Sequence, residues 1–278
     1  MTGLLKSDIK RVLKDKLLIV MGILAVVFAA ITPLLYALIL SGTGYNESDM
    51  VLGALVSSFT AKSQFFSSFS LGNNLGLIVP VLLAIVLCKD FSFGTVRNKI
   101  IAGKSRISIF TSLFLTCSIV LVAVMLLHAF ITLCVSLCFF DYQMTAFTAS
   151  DFWYFVVSLV FDILILLFVS AMLSWLCASR KNVGIVIVLY IAISFAFILI
   201  GSILQVAMSL LEATGGDENI ISILGFISRI NIFNATAYIG TGTEYSLKDV
   251  LYIVVPAIVG ITAFFGIGAL KFRRKDLK

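Results

Sequence analysis

Six apolar runs, at 17–40, 71–88, 107–140, 152–177, 183–211 and 250–270, constrain this chain more than any other feature. A helix needs about 20 apolar residues to cross a hydrocarbon core of about 30 Å, and these runs have that length or nearly so. A soluble core is excluded by composition: 61% of the 278 residues are hydrophobic and 12% charged, too few polar groups to cover such an interior. The expected fold is an all-α integral membrane protein, one transmembrane domain over 1–278 with six spans. The third run is too long for one crossing and is expected to tilt or project. The first is longer than a signal-peptide core and no small-x-small cleavage site closes it, so no cleavable leader is expected.

An even number of spans puts both termini on one side, and the basic residues choose which. Lys6, Lys10, Arg11, Lys14 and Lys16 precede the first run, and Lys89, Arg97, Lys99, Lys104 and Arg106 lie between the second and third. Arg180 and Lys181 follow the fourth, and Lys271, Arg273, Arg274, Lys275 and Lys278 the sixth. Seventeen of the 20 basic residues thus share a face, leaving Lys62, Arg229 and Lys248 for the other. By the positive-inside rule both termini are expected in the cytoplasm. The net charge of +6 is read as topology, with no nucleic-acid partner.

Segments outside the spans carry their own patterns. In 1–16, Leu4, Leu5, Ile9, Val12 and Leu13 recur at helical steps while Lys6, Lys10 and Lys14 take another face. This predicts an amphipathic interfacial helix whose basic side chains meet anionic lipid; a plain topogenic charge cluster is the alternative. On the outer side, 41–70 is expected as a loop with apolar patches that include Phe65, Phe66 and Phe69. The apolar stretch 220–232 is too short to span and contains Arg229, which predicts a re-entrant or interfacial hairpin before span six. No internal repeat in convincing register supports an inverted-repeat transporter.

Few motifs carry chemistry. Ala102-Gly103-Lys104-Ser105 imitates the end of a phosphate loop, but the required earlier glycine is Asn98 and no strand precedes it. Hydrolase signatures are absent, and an enzyme is not expected. The five cysteines (Cys88, Cys117, Cys134, Cys138 and Cys177) lie in or beside apolar runs and read as packing residues, with no metal site. His128 and Asp162 count to similar depths in adjacent runs. They are expected as a proton relay or substrate contact, or as a structural hydrogen-bonded pair, or with Asp162 neutral against backbone. In the basic inner segment, Phe91, Phe93, Val96, Ile100 and Ile101 can share part of a short helix between Ser92 and Ala102, stopped by Gly103. An ordinary topogenic loop would rarely place two phenylalanines in water, so a partner is expected over them.

This arrangement resembles a type-2 ABC transporter permease. A basic amphipathic helix precedes span one, and the segment after span two has the acidic-x-x-x-Gly-Thr-x-Arg pattern as Asp90, Gly94, Thr95 and Arg97. Gly103, Ser105 and Arg106 follow as the small-residue, Ser-Arg entry to span three, with Asp90 for the usual glutamate and Lys104 for a common proline. Asn231, Phe233, Asn234, Ala235 and Tyr238 resemble the outer re-entrant element. The resemblance implies a cytoplasmic coupling helix between spans two and three (Asp90, Phe91, Phe93, Gly94, Thr95, Arg97, Lys99 and Arg106) seated in a separate ABC ATPase chain. It implies that ATP and Mg belong to that partner, with no cofactor on this chain. It also implies a second permease copy, identical or paralogous, and a cavity lined by Asn73, Asn74, Leu77, Phe195, Phe197, Ile198 and Gln205. The implied function is export of amphipathic peptides, phenol-soluble-modulin-like, across a bacterial cell membrane. A secondary transporter or channel using Asp162 and His128, or a membrane anchor or sensor subunit, is the alternative.

Overall fold

The computed structural model describes residues 2–42, 60–71, 76–139, 149–180, 182–234 and 246–274. The expectations for the 41–59 loop, Asn73, Asn74, Lys181, Ala235, Tyr238, Lys275 and Lys278 lie wholly or mostly outside the described residues. The described chain is all-helical: α1 (Thr2–Leu13), α2 (Lys16–Gly42), α3 (Ala61–Ser67), α4 (Ile78–Ser92), α5 (Thr95–Ile101), α6 (Arg106–Phe139), α7 (Ala149–Ser179), α8 (Val183–Thr214), α9 (Glu218–Ile230) and α10 (Leu247–Arg274).

Five of these helices are long and apolar enough to cross a membrane: α6, α8 and most of α2, α7 and α10. The chain is a multi-pass α-helical membrane protein. The second expected span, 71–88, is corrected. The Gly76 N–H donates to the Leu71 carbonyl (3.0 Å), the described helix starts at Ile78, and α4 runs on to Ser92. With 15 residues, about 22 Å, α4 is short for a crossing on its own. It reaches span length only with α5, from which it bends by 50°. Counting that bent pair as one gives six.

Helix α7 forms the centre, with α4, α6, α8 and α10 packed around it. Its Ile165, Val169, Met172, Leu173 and Cys177 are fully buried. Close approach of α10 is a matter of side-chain size. A Cβ on Gly260 would stand 2.3 Å from the Phe168 ring, and one on Gly268 2.5 Å from Phe110. Small residues let helix backbones approach where no hydrophobic drive separates helix from lipid. On α2 the buried residues Met21, Ala25 and Ala29 recur every fourth position and pack on α6.

At one end of the bundle, part of the expected 41–70 loop is folded. Thr60 and Ser63 form a capping box for α3, which buries Phe65 and Phe66, and Phe69 is buried just after it. The Phe65 ring stacks on Phe155 of α7 at 5.5 Å. After α8, Gly215 in the left-handed conformation turns the chain, and Asp217 caps α9 as it doubles back along α8. Asn231 Nδ2 donates to the Phe197 carbonyl near the midpoint of α8 (2.7 Å), and the Phe233 ring stacks on Phe197 at 5.6 Å. The tip of this hairpin therefore reaches halfway down its neighbour.

At the other end, Leu4 of α1, Val96 of α5, Ile109 and Phe110 of α6, Ala178 of α7 and Phe272 of α10 share one apolar cluster. The N-terminal helix, the bend after α4 and the C-terminal helix are gathered there.

Candidate functional site: the basic elbow

The bend between α4 and α5 starts from one backbone choice. Gly94 sits at φ +70°, a conformation that costs an L-residue about 1–2 kcal/mol and glycine nothing. No atom would meet a Cβ there, so the constraint is conformational, not steric. The helix after it begins at Thr95, later than the expected start near Ser92, because the bend consumes Phe93 and Gly94. Its end is as the sequence suggests. Gly103 takes φ +78°, its N–H donates to the Ile100 carbonyl (2.9 Å), and the Lys104 N–H donates to Lys99 (3.1 Å). That is the paired closure of a Schellman motif.

Charge then locks the elbow to α1. Arg11 forms an ion pair with Asp90, Lys89 Nζ lies 2.7 Å from Asp15 Oδ2, and Lys99 Nζ lies 2.6 Å from Asp8 Oδ1. Ser112 of α6 donates to the second oxygen of Asp8 at 2.7 Å. Asp8 and Asp15 are seven residues apart with Arg11 between them; Asp8 and Arg11 lie on α1, and Asp15 follows its end at Leu13. A negative–positive–negative series along α1 and the bend after it thus meets Lys99, Asp90 and Lys89. Asp8 and Asp90 are buried. Burial pushes the Lys99 ammonium below its ordinary value, and Asp8 opposes that shift. The Arg11 guanidinium is also lowered by burial, against the pull of Asp8 and Asp15. Asp15 goes the other way: burial would raise it, but the Lys89 and Leu17 hydrogen bonds and the charges of Lys89 and Arg11 hold it below the usual carboxylate value.

These contacts correct the reading of α1. Its buried stripe is Leu4, Asp8 and Val12, whereas Leu13 is exposed. The helix turns one acidic residue, Asp8, toward the protein besides any lipid-facing basic face. Asp8, Arg11, Asp15, Lys89 and Ser112 are the members that sequence reasoning missed. The available signal was a pair of aspartates at a seven-residue interval inside a basic segment.

Of the two phenylalanines expected to need an outside partner, Phe91 turns inward, edge-on to Phe272 at 6.1 Å. Phe93 stays 78% exposed and Ile101 74%. Arg97, Asn98 and Lys104 are exposed beside them, and Thr95 is half-buried. Arg106 is turned away from this surface; its Nη1 donates to the Arg273 carbonyl at 3.1 Å, tying α6 to α10. The free face of the elbow is therefore two apolar side chains set among cations. Its other face is fixed by ion pairs and by the burial of Val96.

The remaining candidates are dispersed. Leu77 precedes α4 and is partly exposed, and Phe195 and Gln205 are exposed on α8. Phe197 instead faces Phe233, and Ile198 is half-buried. His128 and Asp162 are both buried, but neither ring nitrogen of His128 has a hydrogen-bond partner among the described residues. The hydrogen-bonded pair is thus corrected: counting along runs fixes depth, whereas the direction of each side chain around its helix is set by packing. No cluster of three or more ligating side chains that could hold a metal occurs among the described residues. No protein-family model matches the chain, and a search of curated proteins finds no significant match.

Proposed function

We propose that this chain is the permease subunit of an ATP-driven exporter, with both termini in the cytoplasm of a bacterial cell. A separate ABC ATPase chain, carrying ATP and Mg, would seat the elbow, and two permease copies would enclose the transport path. The observation that carries this reading is the elbow's division of labour. Phe93 and Ile101 are exposed on a bend whose opposite side is clamped to α1, α6 and α10. An exposed aromatic among cations fits a pocket in a partner protein and gains about 1.5–3 kcal/mol when buried. Because the bend is fixed to three other helices, displacement of its tip moves them together. The spans are mostly apolar, with few charged groups, which suits amphipathic peptides better than sugars, whose hydroxyls need many hydrogen bonds.

The test is co-purification of the full chain with any ABC ATPase encoded beside it, followed by peptide-stimulated ATP hydrolysis in proteoliposomes. Phe93→Ala and Ile101→Asp are expected to cut stimulation at least tenfold without changing the melting temperature of the permease. Undiminished stimulation, or failure of any ATPase to co-purify, refutes the reading. A motor-independent transporter is the second reading, favoured by the two unpartnered ring nitrogens of buried His128. It predicts efflux that an uncoupler abolishes and that needs no ATP.

A further inference from the structure

Two of the five cysteines face each other across a helix boundary. Cys88 lies near the end of α4 and Cys177 near the end of α7, and their sulfurs stand 3.5 Å apart. Both side chains are fully buried, in one apolar cluster that also holds Cys117. As a packing residue cysteine acts as a small apolar group, and packing alone does not ask for sulfur against sulfur. Oxidation does. A disulfide bond is about 2.05 Å long, so closing this contact takes about 1.5 Å of movement shared between two side chains.

The place of the pair matters as much as its distance. Cys88 directly precedes Lys89 and Asp90, which hold the N-terminal segment through Asp15 and Arg11. Cys177 precedes Ala178, a member of the apolar cluster beneath the elbow, and stands three residues, about 4.5 Å of helix, before exposed Arg180. The pair therefore lies one turn inside the charged end of the bundle, a short way in for a small neutral oxidant. Among the described residues the ion pairs of the elbow all run to α1 and the bend after it. None of them reaches α7.

We propose that Cys88 and Cys177 form an oxidation site, at which a peroxide joins them into a disulfide that staples α4, and the elbow with it, to the central helix. One sulfur attacks a peroxide oxygen and the O–O bond breaks; the thiol proton leaves with the departing oxygen as water, and a sulfenic acid remains. The second sulfur attacks the first and displaces its oxygen, which takes the second thiol proton and leaves as water. Two thiols thus give up two electrons and two protons, and hydrogen peroxide becomes two waters. The second step is fast because its partner is already in contact. This site goes beyond the proposed exporter, and its chemistry needs no ATPase.

The experiment uses the full chain in lipid vesicles, treated with hydrogen peroxide at doses that oxidise the exposed Cys134 and Cys138, then denatured, alkylated and digested for mass spectrometry. The expected result is a peptide pair joined through Cys88 and Cys177, lighter by two hydrogens than its reduced parts. It should be at least fivefold more abundant than any other cysteine pairing within the chain. Hydrogen exchange over 86–101 should slow in the oxidised chain, and peroxide should leave it unchanged in Cys88→Ala and in Cys177→Ala. Each variant removes one sulfur from a different helix, so one serves if the other does not fold. Cys88 and Cys177 still reduced at those doses, a bond from either to Cys117, or a disulfide that leaves exchange at the elbow unaltered overturns the proposal. Omitting any ATPase should change none of these results, so the exporter reading can fail while this site stands.

Discussion

Asp8 is surrounded by a buried ammonium and a serine hydroxyl, so its removal leaves more behind than a lost bond. In Asp8→Asn the Lys99 charge stays desolvated without a counter-charge, and breaking one side of such a pair costs about 3–5 kcal/mol. The melting temperature in detergent should fall steeply, and Asp8→Asn with Lys99→Met should recover most of the loss. Asp15 adds a pH dependence. Its folded-state value is lowered from the ordinary 3.8, so its contribution is fully present above that value and is lost as pH falls through the lower, folded one. Acid titration of thermal stability should show this loss in the native chain and not in Asp15→Asn. Gly94→Ala should destabilise by about 1 kcal/mol through its positive φ alone, since no atom crowds the added methyl.

At the scale of elements, the hairpin is held by side chains that a single glycine admits. A Cβ on Gly201 would come within 2.5 Å of the Asn234 side chain, which itself donates to Ser228 at 2.8 Å. Gly201→Val should therefore lift the hairpin off α8, seen as faster hydrogen exchange over 218–234 with α8 itself unchanged. Span positions were legible because hydrophobicity is summed over twenty residues, and the observed α8 starts at Val183 as its run does. The short second helix was not legible, because its start is set by long-range contacts such as Tyr190 donating to the Gly76 carbonyl (2.8 Å). The α1 clamp was hidden for a related reason. Its aspartates have meaning only beside Lys89 and Lys99, and counting basic residues per segment discards where single acids point.

Over the whole molecule, burial is uneven. The central span α7 has 61% of its apolar window buried, whereas α8 has 17% and α10 11%. Those open faces meet lipid or a second copy, and the exporter reading assigns part of α8 to the second copy. Under it, Phe195→Cys, on the exposed side of α8, should form a disulfide between copies in membranes, whereas Cys117, buried among α6 and α7, should not react.

The clamp on α1 also has a consequence for synthesis. Its partners lie far downstream: Lys89 is 74 residues beyond Asp15, Lys99 91 beyond Asp8, and Ser112 104 beyond Asp8. At about 5–20 residues per second, translation leaves the N-terminal helix waiting roughly 4–20 s before its contacts exist. Throughout that interval Asp8 must stay hydrated at the bilayer surface, and the first helix to emerge is among the last to be secured.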